Sequence, residues 1–299
     1  MSTDPAAFRC SGASRSLGEP LEGTASTVRA FLLVEAPGPW GVDAVQDSRL
    51  PQEVKDRLES LERHNRVRPL LIRRPGRAVS GPVRVFTAYV HTERPWMQST
   101  VLDDVAELLD LELAGLGEGR STGLAEWRDP LFAVCTHGRH DACCAERGRP
   151  LCAALSEAAP DHTWEVSHIG GDRFSGNVLV LPDGLYYGRL GPADVKSFAA
   201  RHLAGELDLD HLRGRCAYPF FAQAAEVYLR RHLSLHRATA FALVALHRHG
   251  TESEVLFDVD GARWRVRVHT ELGEPRQLTC RAAGLSVGQA HRLVAVSPA

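Results

Sequence analysis

The residues of this 299-residue chain that could do chemistry are concentrated among its cysteines. There are seven, and an odd number cannot all pair in disulfides within one chain. Four of them lie within the 18 residues from 135 to 152. In a reducing compartment, such clustering indicates metal binding or redox chemistry before structural disulfides. The seven are Cys10, Cys135, Cys143, Cys144, Cys152, Cys216 and Cys280.

A predicted strand–helix–strand unit brings three chemically active side chains together. Cys135 ends an apolar strand, and His168 ends the next strand. The adjacent residues Cys143 and Cys144 lie in the first turn of the helix between the two strands. A right-handed crossover puts both strand ends and the helix start at one edge of a sheet. Cys135, one helical cysteine and His168 therefore form a predicted nitrogen–sulfur ligand set. Adjacent helical residues project about 100° apart, so the other cysteine should pack elsewhere.

Three explanations of the set Cys135, Cys144 and His168 are open from the residues alone. The ligand chemistry favours a metal site over a redox dithiol and over coincidental packing in the core. Two thiolates with nitrogen or oxygen ligands suit zinc as well as an iron–sulfur cluster. The chain has no CxxC motif, which disfavours a thioredoxin-type oxidoreductase, and no HExxH motif of a zinc hydrolase.

The other cysteines and the loop histidines have simpler interpretations. A single buried cysteine usually behaves as a small hydrophobic residue, and this is expected of Cys152, Cys216 and Cys280. His137 and His140 are expected to face solvent or to form hydrogen bonds. Gly170 and Gly171 could allow close approach of a cofactor or form a tight turn.

The elements that must position these residues occur in two sets of the same general order, with one additional strand in the second set. The first set is a strand at 28–36, a helix at 50–64, strands at 68–74 and 83–91, and a helix at 100–113. The second set is a strand at 131–135, a helix at 142–158, strands at 163–168, 177–181 and 185–190, and a helix at 192–202. Asp141 is the predicted N-cap of the helix that carries the cysteines. This order predicts the α/β class, with a thioredoxin-like fold made of two tandem β-α-β-β-α units.

Three domains are predicted along the chain. Residues 1–123 form a cysteine-poor N-terminal α/β unit that ends in a glycine-rich linker at 115–123, and residues 124–235 form the unit that carries the cysteine cluster. Residues 236–299 form a C-terminal antiparallel β extension. Within this last region a hairpin joins 254–259 to 262–270, a third strand is expected at 277–281, and 239–248 is ambiguous between helix and strand.

Charge and composition exclude several classes of partner. The chain has 35 basic and 37 acidic residues and a formal net charge of −2, so no electrostatic feature favours nucleic acid or a membrane surface. The N-terminal segment has no basic stretch followed by an apolar core, and no apolar run approaches the roughly 20 residues that span a bilayer. We therefore expect a soluble, cytoplasmic protein.

Four longer segments of the sequence resemble the sucrase/ferredoxin-like family. They are RCSGASRSLGEPLEGTA with PGPWG near the N-terminus, CTHGRHDACCAERG, WEVSHIGGDRFSGNVLVLPDGLYYGRL and GRCAYPFFAQAAE. The resemblance covers roughly residues 8–235. It implies a thioredoxin-like ferredoxin that holds a [2Fe–2S] cluster through two cysteines and two histidines, and hence a non-catalytic electron carrier with an unidentified redox protein partner.

The resemblance also implies which residues hold the cluster. Its cysteine pair matches Cys135 and Cys144, and its first histidine matches His168. Asp172 stands where the family has its second histidine, which makes this carboxylate a candidate fourth ligand. Cys143, His137 or a residue from elsewhere are alternatives. A structural zinc or ligand-binding module and a thiol–disulfide oxidoreductase remain alternative functions.

Overall fold

A computed structural model of the chain describes residues 8–76, 81–91 and 93–299. Residues 1–7, the start of the segment that is expected to lack a signal sequence, lie outside the described residues. The fold is mixed α/β, with one large mixed sheet and a separate four-stranded antiparallel sheet. No helix of the described residues is both long and apolar enough to cross a membrane.

The large sheet contains ten strands. They are β1 (Ala30–Glu35), β2 (Val67–Arg73), β3 (Val83–Tyr89), β4 (Trp96–Leu102), β5 (Ala125–Glu126), β6 (Leu131–Cys135), β7 (Thr163–Val166), β8 (Val178–Leu181), β9 (Leu185–Tyr187) and β10 (Leu212–Arg215). The small sheet contains β11 (Phe241–His249), β12 (Glu252–Val259), β13 (Ala262–Arg276) and β14 (Ser286–Pro298). The helices are α1 (Cys10–Ser16), α2 (Gln52–Asn65), α3 (Ala142–Ala158), α4 (Val195–Leu203) and α5 (Phe220–Leu233). The sequence did not predict α1, β4, β5 or β10.

Both halves of the large sheet use the same pairing. In the first half, β1 pairs in parallel with β2 and antiparallel with β3. In the second half, β6 pairs in parallel with β7 and antiparallel with β8. The two halves join where β2 meets β7 in antiparallel register, with Ile72 opposite Val166. The full order is β10-β9-β8-β6-β7-β2-β1-β3-β4-β5.

The central strands are continuous apolar runs because both of their faces are covered. Every residue of β6, with the sequence LFAVC, is buried. On one face, Phe132 and Val134 pack against Leu151 and Leu155 of α3. Burying a side chain of this size contributes about 1.5–3 kcal/mol, so this face fixes α3 firmly on the sheet.

The predicted helix at 100–113 is wrong. Its first residues belong to β4, in which buried Met97 and Ser99 alternate with less buried residues as in a strand with one covered face. Leu102 is buried at the end of the strand. The helical signal comes from Asp104, which caps a single 3-10 segment, Val105–Asp110, through a capping box with Glu107. Asp104 therefore begins a short 3-10 turn and not a long helix.

The glycine-rich stretch at 115–123 is packed against the domain and is not a loose linker. It contains a 3-10 turn, Leu116–Glu118, in which Leu116 and Gly117 are buried. A Cβ atom at Gly117 would lie only 1.6 Å from the carbonyl oxygen of Asn65. Glycine is therefore required there by the close approach of the end of α2.

The C-terminal hairpin is confirmed, because β12 and β13 pair antiparallel through the turn at 260–261. The ambiguous segment 239–248 is largely strand β11. The predicted strand at 277–281 is wrong, since these residues form a loop and the next strand is β14. The small sheet is held to the rest of the chain because Phe221 and Leu229 of α5 pack against Val255 and Phe257 of β12.

Candidate metal centre

Cys135 is the last residue of β6 and is 1% exposed. Its backbone N–H donates to the carbonyl oxygen of Asn177 at 3.0 Å. Helix α3 passes very close to this point, because a Cβ atom at Gly148 would lie 1.9 Å from the Cys135 carbonyl oxygen. Gly148 therefore allows the cysteine-bearing helix to approach the strand end closely.

Asp141 caps α3 as predicted. Its carboxylate accepts a hydrogen bond from the backbone N–H of Cys143 at 2.9 Å. This fixes the first turn of the helix, where the partial positive charge of the helix dipole favours thiolates. The side chains of Cys143 and Cys144 then diverge into two different groups of side chains.

His168 and Asp172 lie on the loop after β7. Two glycines with positive φ, Gly170 at 96° and Gly171 at 79°, give the loop its shape. The buried Arg213 donates to the carbonyl oxygen of Gly170 and to Oδ1 of Asn177, both at 3.0 Å. A Cβ atom at Gly171 would lie 2.2 Å from that guanidinium group. The two glycines therefore serve a tight turn packed against Arg213.

The structure brings one ligand atom each from Cys135, Cys144 and His168 to within 4.8 Å of one another. Asp172 adjoins them: its Oδ1 lies 3.1 Å from Sγ of Cys144 and 2.9 Å from Nδ1 of His168. Ser175 donates to Sγ of Cys144 at 3.8 Å. Two thiols and an imidazole thus meet, and a carboxylate lies beside the imidazole and one of the thiols.

His137 is not available as a ligand, because both of its ring nitrogens are occupied. Nδ1 accepts from the backbone N–H of His168 at 3.2 Å, and Nε2 lies 2.7 Å from the carbonyl oxygen of Gly41. Burial lowers the pKa of His137, so its ring is neutral and carries its proton on Nε2. His137 therefore positions the His168 backbone.

His140 was expected to face solvent or to form hydrogen bonds, and its Nδ1 lies 3.4 Å from the carbonyl oxygen of Val42. Its ring also stacks on His168 with a centroid distance of 3.7 Å. With His168 and Asp172 it forms a second possible ligand group, which shares His168 with the group of Cys135, Cys144 and His168. Its position depends on the tight turn between β6 and α3, and the sequence gives no local signal for this stacking.

The ionisable groups in the site shift one another's pKa values. A hydrogen bond from Cys144 lowers the pKa of Cys135, and the same bond raises the pKa of Cys144. Burial lowers the pKa of a histidine, but contact with Asp172 and Cys135 outweighs it and raises the pKa of His168 to about 9. Burial also opposes ionisation of Asp172, yet its contact with His168 lowers the pKa of the carboxyl group. The site thus favours a thiolate at Cys135 and a carboxylate at Asp172, which are the protonation states that bind metals, whereas the imidazole of His168 is protonated. Binding of a metal by His168 would therefore release a proton.

The donor set fits a metal or cluster. Nδ1 of His168 is buried and lies 2.9 Å from Oδ1 of Asp172, so the two side chains form an ion pair when the imidazole is protonated. This pair holds both side chains beside the two sulfur atoms. Cysteine sulfur, histidine nitrogen and carboxylate oxygen are all zinc ligands, and cysteine and histidine also hold the irons of [2Fe–2S] clusters.

One edge of the site reaches the surface. His168 retains 24% side-chain exposure, and a cavity of about 400 Å³ is lined by His137, His140 and His168 together with residues of the 42–46 segment. The cysteines are enclosed, so solvent and partners meet the imidazole side of the site.

A Gly-x-Ser-x-Gly pattern occurs at 284–288, but it is not a hydrolase site. Ser286 is exposed and begins β14, and no helix follows it within the chain. The nucleophile motif of hydrolases requires a sharp turn from a strand into a helix. This pattern is therefore assigned no catalytic role.

Comparisons with known proteins identify related sequences. A family model described as sucrase/ferredoxin-like matches residues 21–214. Altered inheritance of mitochondria protein 32 from Meyerozyma guilliermondii is 30% identical over 78 residues. These cover 23% of this chain and 28% of that protein, so the two are comparable over a minor part of each. No solved structure matches the chain significantly.

Proposed function

Because the chain belongs to the sucrase/ferredoxin-like family, we propose that it is a one-electron carrier holding a [2Fe–2S] cluster. Cys135 and Cys144 would hold one iron, and His168 with Asp172 would hold the other. When bound, such a cluster supplies reversible one-electron transfer. In this proposal the chain's own residues provide ligands, burial and a route to the surface.

The convergence of two buried thiols, an imidazole and a carboxylate is the observation that carries the proposal. Two cysteines and a histidine are the ligand types found at histidine-ligated [2Fe–2S] clusters, and the carboxylate beside them offers a fourth donor. The lowered pKa values of Cys135 and Asp172 favour the ionised forms that cluster ligation requires.

The strand pairing supports a thioredoxin-like fold for each half of the large sheet. In both halves the first strand is central, parallel to the second and antiparallel to the third. Only the second half carries the cysteine cluster. We propose that the first half is a related unit without a cluster, which extends the sheet beside the site.

Electrons would enter and leave on the imidazole side. His168 is the most exposed of the four ligands, and its ring stacks on His140 beside the cavity. A redox partner that docks over this cavity would approach the cluster more closely than from the enclosed cysteine side. The partner is therefore proposed to be another redox protein that contacts the 42–46 segment and His140.

Anaerobic purification followed by iron and acid-labile sulfide analysis tests the proposal. We expect coloured protein that bleaches with dithionite, with about two irons and two sulfides per chain. Cys144→Ser should lose most of the colour, whereas the control Cys152→Ser, on the same helix, should keep it. Colourless protein with zinc bound at Cys144 supports the zinc module instead, and metal-independent thiol exchange supports the oxidoreductase.

A further inference from the structure

We infer that Cys10, Cys143 and Cys280, together with the carboxylate of Asp141, form a second metal centre that holds one zinc ion. This centre is separate from the proposed cluster site and does not depend on it. It would connect both terminal regions of the chain to the start of α3.

The sulfur positions carry this inference. Sγ of Cys143 lies 3.4 Å from Sγ of Cys280, which lies 3.5 Å from Sγ of Cys10. Both carboxylate oxygens of Asp141 lie 3.7 Å from Sγ of Cys10. All four ligand atoms fall within 4.8 Å of one another. Zinc bonds of about 2.3 Å in a tetrahedron separate two sulfurs by about 3.8 Å, so small side-chain shifts accommodate the ion.

The surrounding hydrogen bonds orient the ligands. Asp141 accepts from the backbone N–H groups of Cys143 at 2.9 Å and Cys280 at 2.7 Å, and each oxygen has a further lone pair for a metal. Ser11 donates to Sγ of Cys143 at 3.2 Å. Such outer contacts to metal ligands fix their direction.

The three thiols come from remote segments, which makes coincidental packing a weak explanation. Cys10 begins α1, Cys143 lies in the first turn of α3, and Cys280 lies in the loop between β13 and β14. Cys10 and Cys280 are separated by 270 positions in sequence. Flanking contacts bring the segments together: Arg9 pairs with Glu146 at 2.7 Å.

The ligand set favours zinc over a disulfide switch. A disulfide would use two of the sulfurs and leave the third beside a carboxylate with no role. Three thiolates and one carboxylate instead complete the four-coordinate shell of a structural zinc site. Cys280 is partly exposed, whereas Cys10 and Cys143 are buried, so the ion has an entry path.

Metal analysis of the full-length protein, purified with reductant and dialysed against a mild chelator, tests the inference. The wild type should retain about one zinc per chain, and Cys280→Ala should lose it. Cys216→Ala, which removes a buried thiol outside both groups, should retain it. Iron content and visible colour should be the same in Cys280→Ala and the wild type, so failure of this site is distinguishable from failure of the cluster.

Cobalt reconstitution and a milder variant make the test robust to folding defects. Co²⁺ in the wild type should give the intense bands of tetrahedral thiolate coordination, weakened in Asp141→Asn, in which asparagine still caps α3. Wild-type protein that binds neither zinc nor cobalt under reducing conditions overturns the inference. A disulfide between Cys143 and Cys280 in freshly purified anaerobic protein overturns it as well.

Discussion

Cys143 and Cys144 are adjacent in sequence, yet their sulfur atoms lie in different clusters. Sγ of Cys144 is 3.1 Å from Oδ1 of Asp172, whereas Sγ of Cys143 is 3.4 Å from Sγ of Cys280. The divergence follows from helical geometry, which separates neighbouring side chains by about 100°. One capped helix start can therefore supply ligands to two sites without sharing any of them.

Replacing Asp172 with histidine tests the fourth ligand of the proposed cluster. Asp172→His exchanges a negative carboxylate for a neutral imidazole, so the reduced cluster should be easier to form and the reduction potential should rise. A mediated redox titration measures this shift. Asp161→His, at an exposed position away from the site, is the control and should leave the potential unchanged. An unchanged or lower potential in Asp172→His would contradict ligation by Asp172.

Arg213 is expected to position the loop that carries His168 and Asp172. Arg213→Met leaves the carbonyl of Gly170 and the amide oxygen of Asn177 without their donor. We predict a loss of about 2–4 kcal/mol in the free energy of unfolding and reduced cluster content. Denaturant unfolding and iron analysis measure both. Arg263→Met, which removes a half-exposed arginine, should cost less than about 1 kcal/mol and keep the iron.

The same substitution at Gly171 and at Gly205 separates the cost of backbone strain from the cost of a steric clash with Arg213. Gly171 and Gly205 have nearly equal positive φ values of 79° and 75°. Around Gly205 nothing lies within 4 Å of an added Cβ, whereas at Gly171 the Cβ would collide with Arg213. Gly205→Ala should cost about 1 kcal/mol of stability, and Gly171→Ala should cost clearly more and lose colour. Equal losses of stability in the two variants would show that the clash with Arg213 does not affect the free energy of unfolding.

Buried histidines make stability depend on pH. Burial lowers the pKa of His202 to about 4, below the ordinary value of about 6.5 in the unfolded chain. The unfolded state therefore binds more protons than the folded state between these two pKa values. The free energy of unfolding is highest above about pH 6.5, where His202 is neutral in both states, and it decreases as the pH falls towards 4. At pH 5 the loss is about 2 kcal/mol.

His202→Phe removes this titration while keeping an aromatic ring next to Phe132, Tyr187 and Phe198. Unfolding curves between pH 5 and pH 7 should show a smaller pH dependence in the variant by about that amount. His291, whose pKa burial also lowers to about 4, keeps its own contribution in both proteins. An identical pH dependence in wild type and variant would refute the assignment to His202.

Local sequence patterns predicted the elements that hold the first site. The apolar run ending at Cys135 and the N-cap Asp141 are signals carried by neighbouring residues. The same kind of signal failed at 100–113, where the acidic cap of Asp104 follows a strand and begins only a short 3-10 turn. A cap marks where a helix begins, but it does not determine the length of that helix.

Contacts between remote segments could not be predicted in this way. Cys280 was interpreted as a small hydrophobic residue, and Cys10 gave no signal of its own. Their sulfurs meet because α1 and the loop after β13 both pack against the start of α3, and no periodicity in the sequence encodes this meeting. The stacking of His140 on His168 depends on tertiary structure in the same way.

The most direct test of the electron-carrier account is pulsed EPR of dithionite-reduced, anaerobically purified protein labelled with ¹⁵N-histidine. The account predicts a paramagnetic [2Fe–2S] signal with nitrogen coupling from one directly bound imidazole, which changes with the label and disappears in His168→Ala. A reduced protein without a paramagnetic signal, or with a cluster signal that has no histidine coupling, would contradict it.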